Sequence, residues 1–214
     1  MSKATRAVAT WFGVLTGLAG LEHGVSEALR GDTAPEGLVF PSMGPPCDPA
    51  RAWHVCEPAM SVVPSFLISG LLTIVLSALI LVWSMTRMKL RRGGLGLGIL
   101  SISLLLVGGG FFPPLIGLVG GLAGSQAERS AGGRQPARFW TLTAGMWPWP
   151  LVAFVAWTLG QFVVGYLFND GLKSLMGYGV LLILMLMLLS LVAALAADAR
   201  TVDDDQQNHR EALT

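Results

Sequence analysis

Long apolar blocks, each near the length of a membrane-crossing helix, alternate along this chain with short polar or glycine–proline stretches. A helix needs about 20 mostly apolar residues to cross a hydrocarbon core of about 30 Å. Four blocks meet that length simply: residues 7–29, 62–84, 149–168 and 176–197. Pro64 falls in the first turn of the second block, where a missing N–H costs little. Trp11, Trp83, Trp147 and Trp149 fall near the expected span ends and read as interfacial anchors. The last block, VLLILMLMLLSLVAALAA, is apolar almost all round and is expected to face lipid.

The remaining apolar block, residues 94–124, is too long for one span and is interrupted by GGGFFPP at 108–114. Three glycines and a double proline should end one helix and start another. The block therefore either crosses once, tilted and kinked, or turns back as 94–112 with a short re-entrant or half-span arm over 113–124. The second arm would be only about 18 Å long. Irregular backbone at membrane depth persists only where protein or water satisfies it. The expected fold is thus all-α, a polytopic transmembrane helix bundle with about five membrane segments. It forms a single domain over residues 1–200, with an outer loop at 30–61 and a polar cytoplasmic tail at 201–214.

Composition and charge sharpen this layout. The chain is 53% hydrophobic and 13% charged, against about 25% charged residues in soluble domains. Lys3 and Arg6 precede the first block as in a signal peptide, but the apolar run exceeds cleavable length and lacks an A-x-A-like site. Short cytoplasmic loops collect Lys and Arg. If block three turns back, 11 basic residues lie on the inner side and 3 outside; if it crosses, the split is 7 and 7. The asymmetric layout is preferred, with both termini cytoplasmic in a cell membrane. A net charge of +1 gives no reason to expect nucleic acid.

The outer loop carries six prolines and both cysteines, Cys47 and Cys56. On the oxidising side of a membrane such a pair is expected to form a disulfide. A metal site of Cys47, Asp48, His54 and Cys56 is the alternative, but its spacing matches no metal-binding motif, and neither metal nor cofactor is expected.

The stretch GLAGLEHGVSEALRG places Glu22, His23 and Glu27 inside the first apolar segment. At 100° per residue, Gly13, Gly17, Gly20 and Gly24 form a smooth stripe within about 60°. Such a stripe lets another helix approach closely. Thr16, His23 and Glu27 line one flank of it, with His23 and Glu27 in side-chain reach of each other. Glu22 points nearly opposite, towards Ser26. With the segment centred near residue 17, Glu27 lies about 14 Å from the centre. There it is expected to be wetted by the interface and satisfied by His23. Glu22 and His23 lie about half as far out, where an ionisable group is costly unless paired or watered. They are the leading site candidates, shielded by the second helix or by block three, with Glu27 orienting His23. Ser65, Ser69, Thr73 and Ser77 recur every four residues on the second segment, a ribbon read first as helix packing and second as an aqueous path. Gln161 with Thr158 makes a smaller polar spot on the fourth.

The GLEHGVSEALRG segment, the PSF start of the second helix and GGGFFPPLIG together resemble a family of uncharacterised bacterial multi-pass membrane proteins. The resemblance implies an integral membrane protein and transfers no catalytic residue. The chain shows no P-loop signature, nucleophile elbow, HExxH, CxxC or CxxCH. Three function classes remain. The first is a small transporter, channel or permease-like protein using the intramembrane Glu/His pair. The second is a structural or assembly subunit with a membrane-protein partner or a second copy of itself. The third, ranked last, is a membrane-embedded enzyme acting on lipid or quinone.

Overall fold

The structure is a computed structural model that describes residues 3–42, 57–126 and 138–211, without the side chains of 138, 139 and 202–211. Cys47 and Cys56, with the disulfide or metal site expected of them, lie outside the described residues. Seven helices occur among those residues: α1 Lys3–Ala28, α2 Phe66–Thr86, α3 Gly93–Leu106, α4 Phe112–Gln126, α5 Arg138–Gly145, α6 Trp149–Leu167 and α7 Asn169–Glu211. A short antiparallel ladder joins β1 Val39–Pro41 to β2 Pro58–Met60, pairing Phe40 with Ala59. Among the described residues, three helices are long and apolar enough to cross a membrane: α2, α6 and α7 over Asn169–Thr201.

Local chemistry sets the element ends. Ser65 adopts an extended backbone and caps α2, its hydroxyl accepting the Ile68 N–H at 3.4 Å. This moves the start of the second segment from the expected residue 62 to 66, because Ser61 and Val62 are bonded elsewhere: Ser61 bridges to Val107, and the Val62 N–H reaches the Leu106 carbonyl. Gly108 and Gly110 take φ values of +109° and +74°, which glycine alone adopts at little cost. They end α3, and Pro113 and Pro114 open α4 in the turn where proline is tolerated.

Block three turns back. Gly94 near the start of α3 lies against Gly121, Gly124 and Ser125 of α4, so closely that a Cβ on Gly94 would approach the Ser125 nitrogen to 2.4 Å. At 14 and 15 residues, the two arms are each about 21–23 Å long.

The glycine stripe of α1 meets α2. A Cβ at Gly17 would lie 2.6 Å from Leu81 Cγ, one at Gly20 would lie 2.4 Å from Ser77 Oγ, and one at Gly24 would lie 2.9 Å from the Gly70 carbonyl. On its other side α1 contacts α4, where Gly120 accepts the bulk of Phe12 and Ala9. Phe12 also stacks at 4.7 Å on Phe154 of α6, and these rings join Val8, Leu97 and Leu104 in the core.

The structure refines the expected layout at four points. Residues 201–211, in the stretch expected to be a polar tail, continue α7 as helix. Helix α7 does not give all its faces to lipid: Met187, Ser190, Ala193, Ala194, Ala196 and Asp198 are buried. The stretch before α6 contains the short helix α5. Trp83 is a helix–helix contact, not simply an anchor: its indole N–H donates to the Gly93 carbonyl at 2.9 Å, and its ring lies over Gly96.

Candidate functional site

The polar residues of α1 converge with the hairpin ladder, the start of α2 and the α3–α4 break. Glu27 is 0% exposed and His23 is 1% exposed, so the expectation of a wetted Glu27 is overturned. Its position near the helix end would give water access to an isolated helix. Here the ladder and the glycine turn fold over it. A Cβ at Gly108 would lie 2.2 Å from Glu27 Oε2, and one at Gly110 would lie 2.5 Å from His23 Nε2. The GGG run is thus the cover of the Glu/His pair, and side-chain-free backbone is what allows it to sit there.

His23 and Glu27 do not bond directly. Ser42, just past β1 and fully buried, stands between them: its hydroxyl donates to Glu27 Oε1 at 3.0 Å and lies 3.1 Å from His23 Nδ1. The other ring nitrogen, Nε2, lies 3.4 Å from Glu57 Oε2, whose side chain is 30% exposed. Ser42 and Glu57 flank the outer-loop ladder and are themselves joined, the Ser42 N–H donating to the Glu57 carbonyl at 2.9 Å. Beyond Glu27, the Ser69 hydroxyl lies 2.7 Å from Oε2, 3.0 Å from Ser61 Oγ and 2.5 Å from the Val107 carbonyl. Thr73 also donates to the Val107 carbonyl, at 2.8 Å. His23, Ser42, Glu27 and Ser69 therefore form one hydrogen-bonded chain, which Glu57 joins through its 3.4 Å ion-pair contact with His23.

A hydroxyl has one proton and accepts at its lone pairs, and imidazole can donate at either nitrogen or both. Two proton arrangements satisfy this chain with the same heavy-atom positions. In one, the imidazolium donates to Glu57 and Ser42, while Ser42 and Ser69 donate to a Glu27 carboxylate and Thr73 serves the Val107 carbonyl. In the other, a protonated Glu27 donates to Ser42, and Ser42 donates to a neutral His23 that still donates from Nε2 to Glu57. The two differ by one proton moved between His23 and Glu27.

The polar ribbon of α2 divides in role. Ser65 caps its helix and donates to Asp32 at 2.7 Å. Ser69 and Thr73 tie α2 to Glu27 and to the broken end of α3. Ser77 packs against Gly17 and Gly20 and has no hydrogen-bond partner among the described residues. Arg30 fastens the ladder to α2: its guanidinium donates to the Pro41 carbonyl at 2.7 Å and lies 3.6 Å from the Phe66 ring centroid. Burial lowers the pKa of Arg30, and the neighbouring Glu27 and Glu36 oppose that shift.

Glu22 turns to a cavity of about 320 Å³ between α1, the start of α4, α6 and α7, shared with His23 and Glu57. Thr158 and Gln161 of α6 line the same cavity. Sequence reasoning missed Ser42 and Glu57, because both lie in a proline-rich loop where nothing in their spacing relates them to α1. No cluster of metal-ligating side chains occurs among the described residues. Comparison of the chain with protein-family models, with curated proteins and with solved structures found no match.

Proposed function

We propose that this chain is a multi-pass membrane protein of the transporter or channel class that conducts a proton along Glu57, His23, Ser42 and Glu27. One observation carries the reading: an ion-pair contact and two hydrogen bonds lead from a partly exposed carboxylate to a fully enclosed one, with an imidazole between them. Intramembrane ionisable groups are rare and commonly mark proton or ion paths, and imidazole exchanges protons near neutral pH. The broken α3–α4 hairpin over the pair supports the same reading, since discontinuous helices line transport sites. In the proposed orientation the relay end faces outward and the basic helix ends face the cytoplasm.

The test is proton uptake into proteoliposomes containing a pH-sensitive dye, driven by a potassium diffusion potential. Wild-type protein should acidify the lumen. His23→Asn, Ser42→Ala and Glu27→Gln should each lower the rate about tenfold or more, because each breaks the chain at a different link. Protein-dependent flux that is unchanged in all three folded variants refutes the relay. Absence of flux together with purification in a fixed hetero-complex favours the assembly-subunit reading instead.

A further inference from the structure

The cavity beside the relay lies mainly between apolar walls from α4, α6 and α7, with the rings of Phe112, Trp157 and Phe162 among them. Its volume of about 320 Å³ suits a small organic ligand, since such sites span about 300–1,000 Å³. Charge does not select an ion here. His23 and Glu57, on the α1 and ladder side, pair with each other at 3.4 Å, and Glu22 beside them has a partner of its own. No Lys or Arg lines the cavity among the described residues, so an anionic head finds no counter-charge either.

The polar groups of α6 set the chemistry. Gln161 lines the cavity and makes one hydrogen bond among the described residues, from Nε2 to the Thr158 carbonyl at 3.3 Å. A primary amide carries two N–H donors and a carbonyl acceptor, so Oε1 and the second N–H are open to a ligand. The Trp157 indole N–H and the Thr158 hydroxyl in the same wall are buried without a hydrogen-bond partner among the described residues. This stretch of a helix fit to cross a membrane therefore holds more polar groups than the chain itself satisfies. Such groups call for a partner from outside the chain.

We infer that this cavity binds a neutral amphiphile with a hydroxyl head, the head on Gln161 and the apolar chain against α4, α6 and α7. A hydroxyl donates and accepts at one atom, so it can donate to Oε1 while accepting from the open N–H. An ether oxygen only accepts and leaves Oε1 unpaired. A plain hydrocarbon leaves both groups unpaired. A carboxylate would set a second acceptor against Oε1, with no basic residue to balance its charge. Gln161 stands six residues before Leu167 at the end of α6, about 9 Å along the helix, where little water competes for the amide. The site is independent of the proton path, because Gln161 bonds to no member of it.

The experiment uses the full chain in lipid nanodiscs, with a dodecanol carrying a diazirine in mid-chain as the photoprobe and mass spectrometry to locate its adducts. Saturable labelling is expected on the cavity residues of α4, α6 and α7. Competitors are compared at equal mole fraction in the lipid. Dodecanol should displace the probe, and dodecyl methyl ether and dodecane should each do so about tenfold less well, the effect of one lost hydrogen bond in a dry site. That series uses wild-type protein and needs no variant to fold. Gln161→Met keeps the length of the side chain and removes the amide, so dodecanol and its ether should then compete equally. No saturable labelling of the cavity overturns the inference. Equal competition by the ether or by dodecane in wild-type protein overturns it too, leaving an apolar space filled without regard to the head. A preference for dodecanol that survives in folded Gln161→Met removes the head from Gln161 and overturns the assignment.

Discussion

Glu27 shows how one residue's role depends on neighbours that its helix cannot specify. In α1 alone it lies one residue from the end, open to water. In the folded chain it is enclosed by Ser42, Ser69 and the Gly108 backbone. A buried carboxyl costs several kcal/mol unless its oxygens are hydrogen-bonded, and here each oxygen has a hydroxyl partner. Gly108 permits this arrangement through both its positive φ and its missing side chain. Gly108→Ala should therefore destabilise the protein by about 1–3 kcal/mol from backbone strain alone, and should also displace the Glu27 carboxylate. Thermal unfolding in detergent measures the loss. Gly98→Ala serves as the control, because a Cβ there meets nothing within 4 Å; a melting temperature for Gly108→Ala equal to that of Gly98→Ala would show that the turn does not press on the carboxylate.

Between elements, the contact of α1 with α2 pairs glycines with small hydroxyl side chains. Along Gly13, Gly17 and Gly20 its stability comes from close approach and dispersion rather than from hydrogen bonds, since Ser77 and Ser84 have no hydrogen-bond partner among the described residues. The two kinds of residue should then respond oppositely to substitution. Gly17→Leu and Gly20→Leu drive side chains into Leu81 and Ser77 and should lower the melting temperature markedly or prevent folding. Ser77→Ala removes a buried, unsatisfied hydroxyl and should leave stability unchanged or raise it. A Ser77→Ala variant as unstable as Gly20→Leu would mean that Ser77 makes an essential polar contact. The spacing of the stripe and of the ribbon was legible in the sequence. Which ribbon positions pack and which hold the relay was not, because that depends on where the ladder and the α3–α4 turn meet α2.

At the level of the whole molecule, one end of the bundle gathers the start of α1, the start of α3 and the end of α4, with Ala9 against Gly124 and Gly94 against Ser125. Asp198 of α7 joins the same end. Its carboxylate, 5% exposed, accepts the Ala4 and Thr5 N–H groups at 3.0 and 2.8 Å and the Thr5 hydroxyl. It thereby satisfies donors that every helix start leaves unpaired and complements the positive end of the helix dipole. This end carries the helix termini next to Lys3, Arg6, Arg87, Lys89, Arg91, Arg92 and Arg200. In the proposed orientation this end faces the cytoplasm, as the positive-inside rule favours. Single cysteines placed at Ser125 and at Thr214, in a background without Cys47 and Cys56, should both be shielded from membrane-impermeant maleimide in intact cells. Labelling of either from outside would reverse the proposed orientation or remove the hairpin.

The chain by itself determined its helical character, the three long apolar helices α2, α6 and α7, the break at GGGFFPP and the close-packing face of α1. These follow from local quantities: apolar run length, the backbone preferences of glycine and proline, and the 3.6-residue period that sorts side chains onto faces. Basic-residue asymmetry also pointed to the turned-back third block before any contact was known. Only the tertiary structure decided that Glu27 is enclosed, that Ser42 links it to His23, that Glu57 and Glu22 share a cavity with α6 and α7, and that Asp198 caps a helix 193 residues away. Each of these depends on which surfaces meet across long sequence separations. A helical period records where a side chain points, but it carries no information on which loop will fold over it.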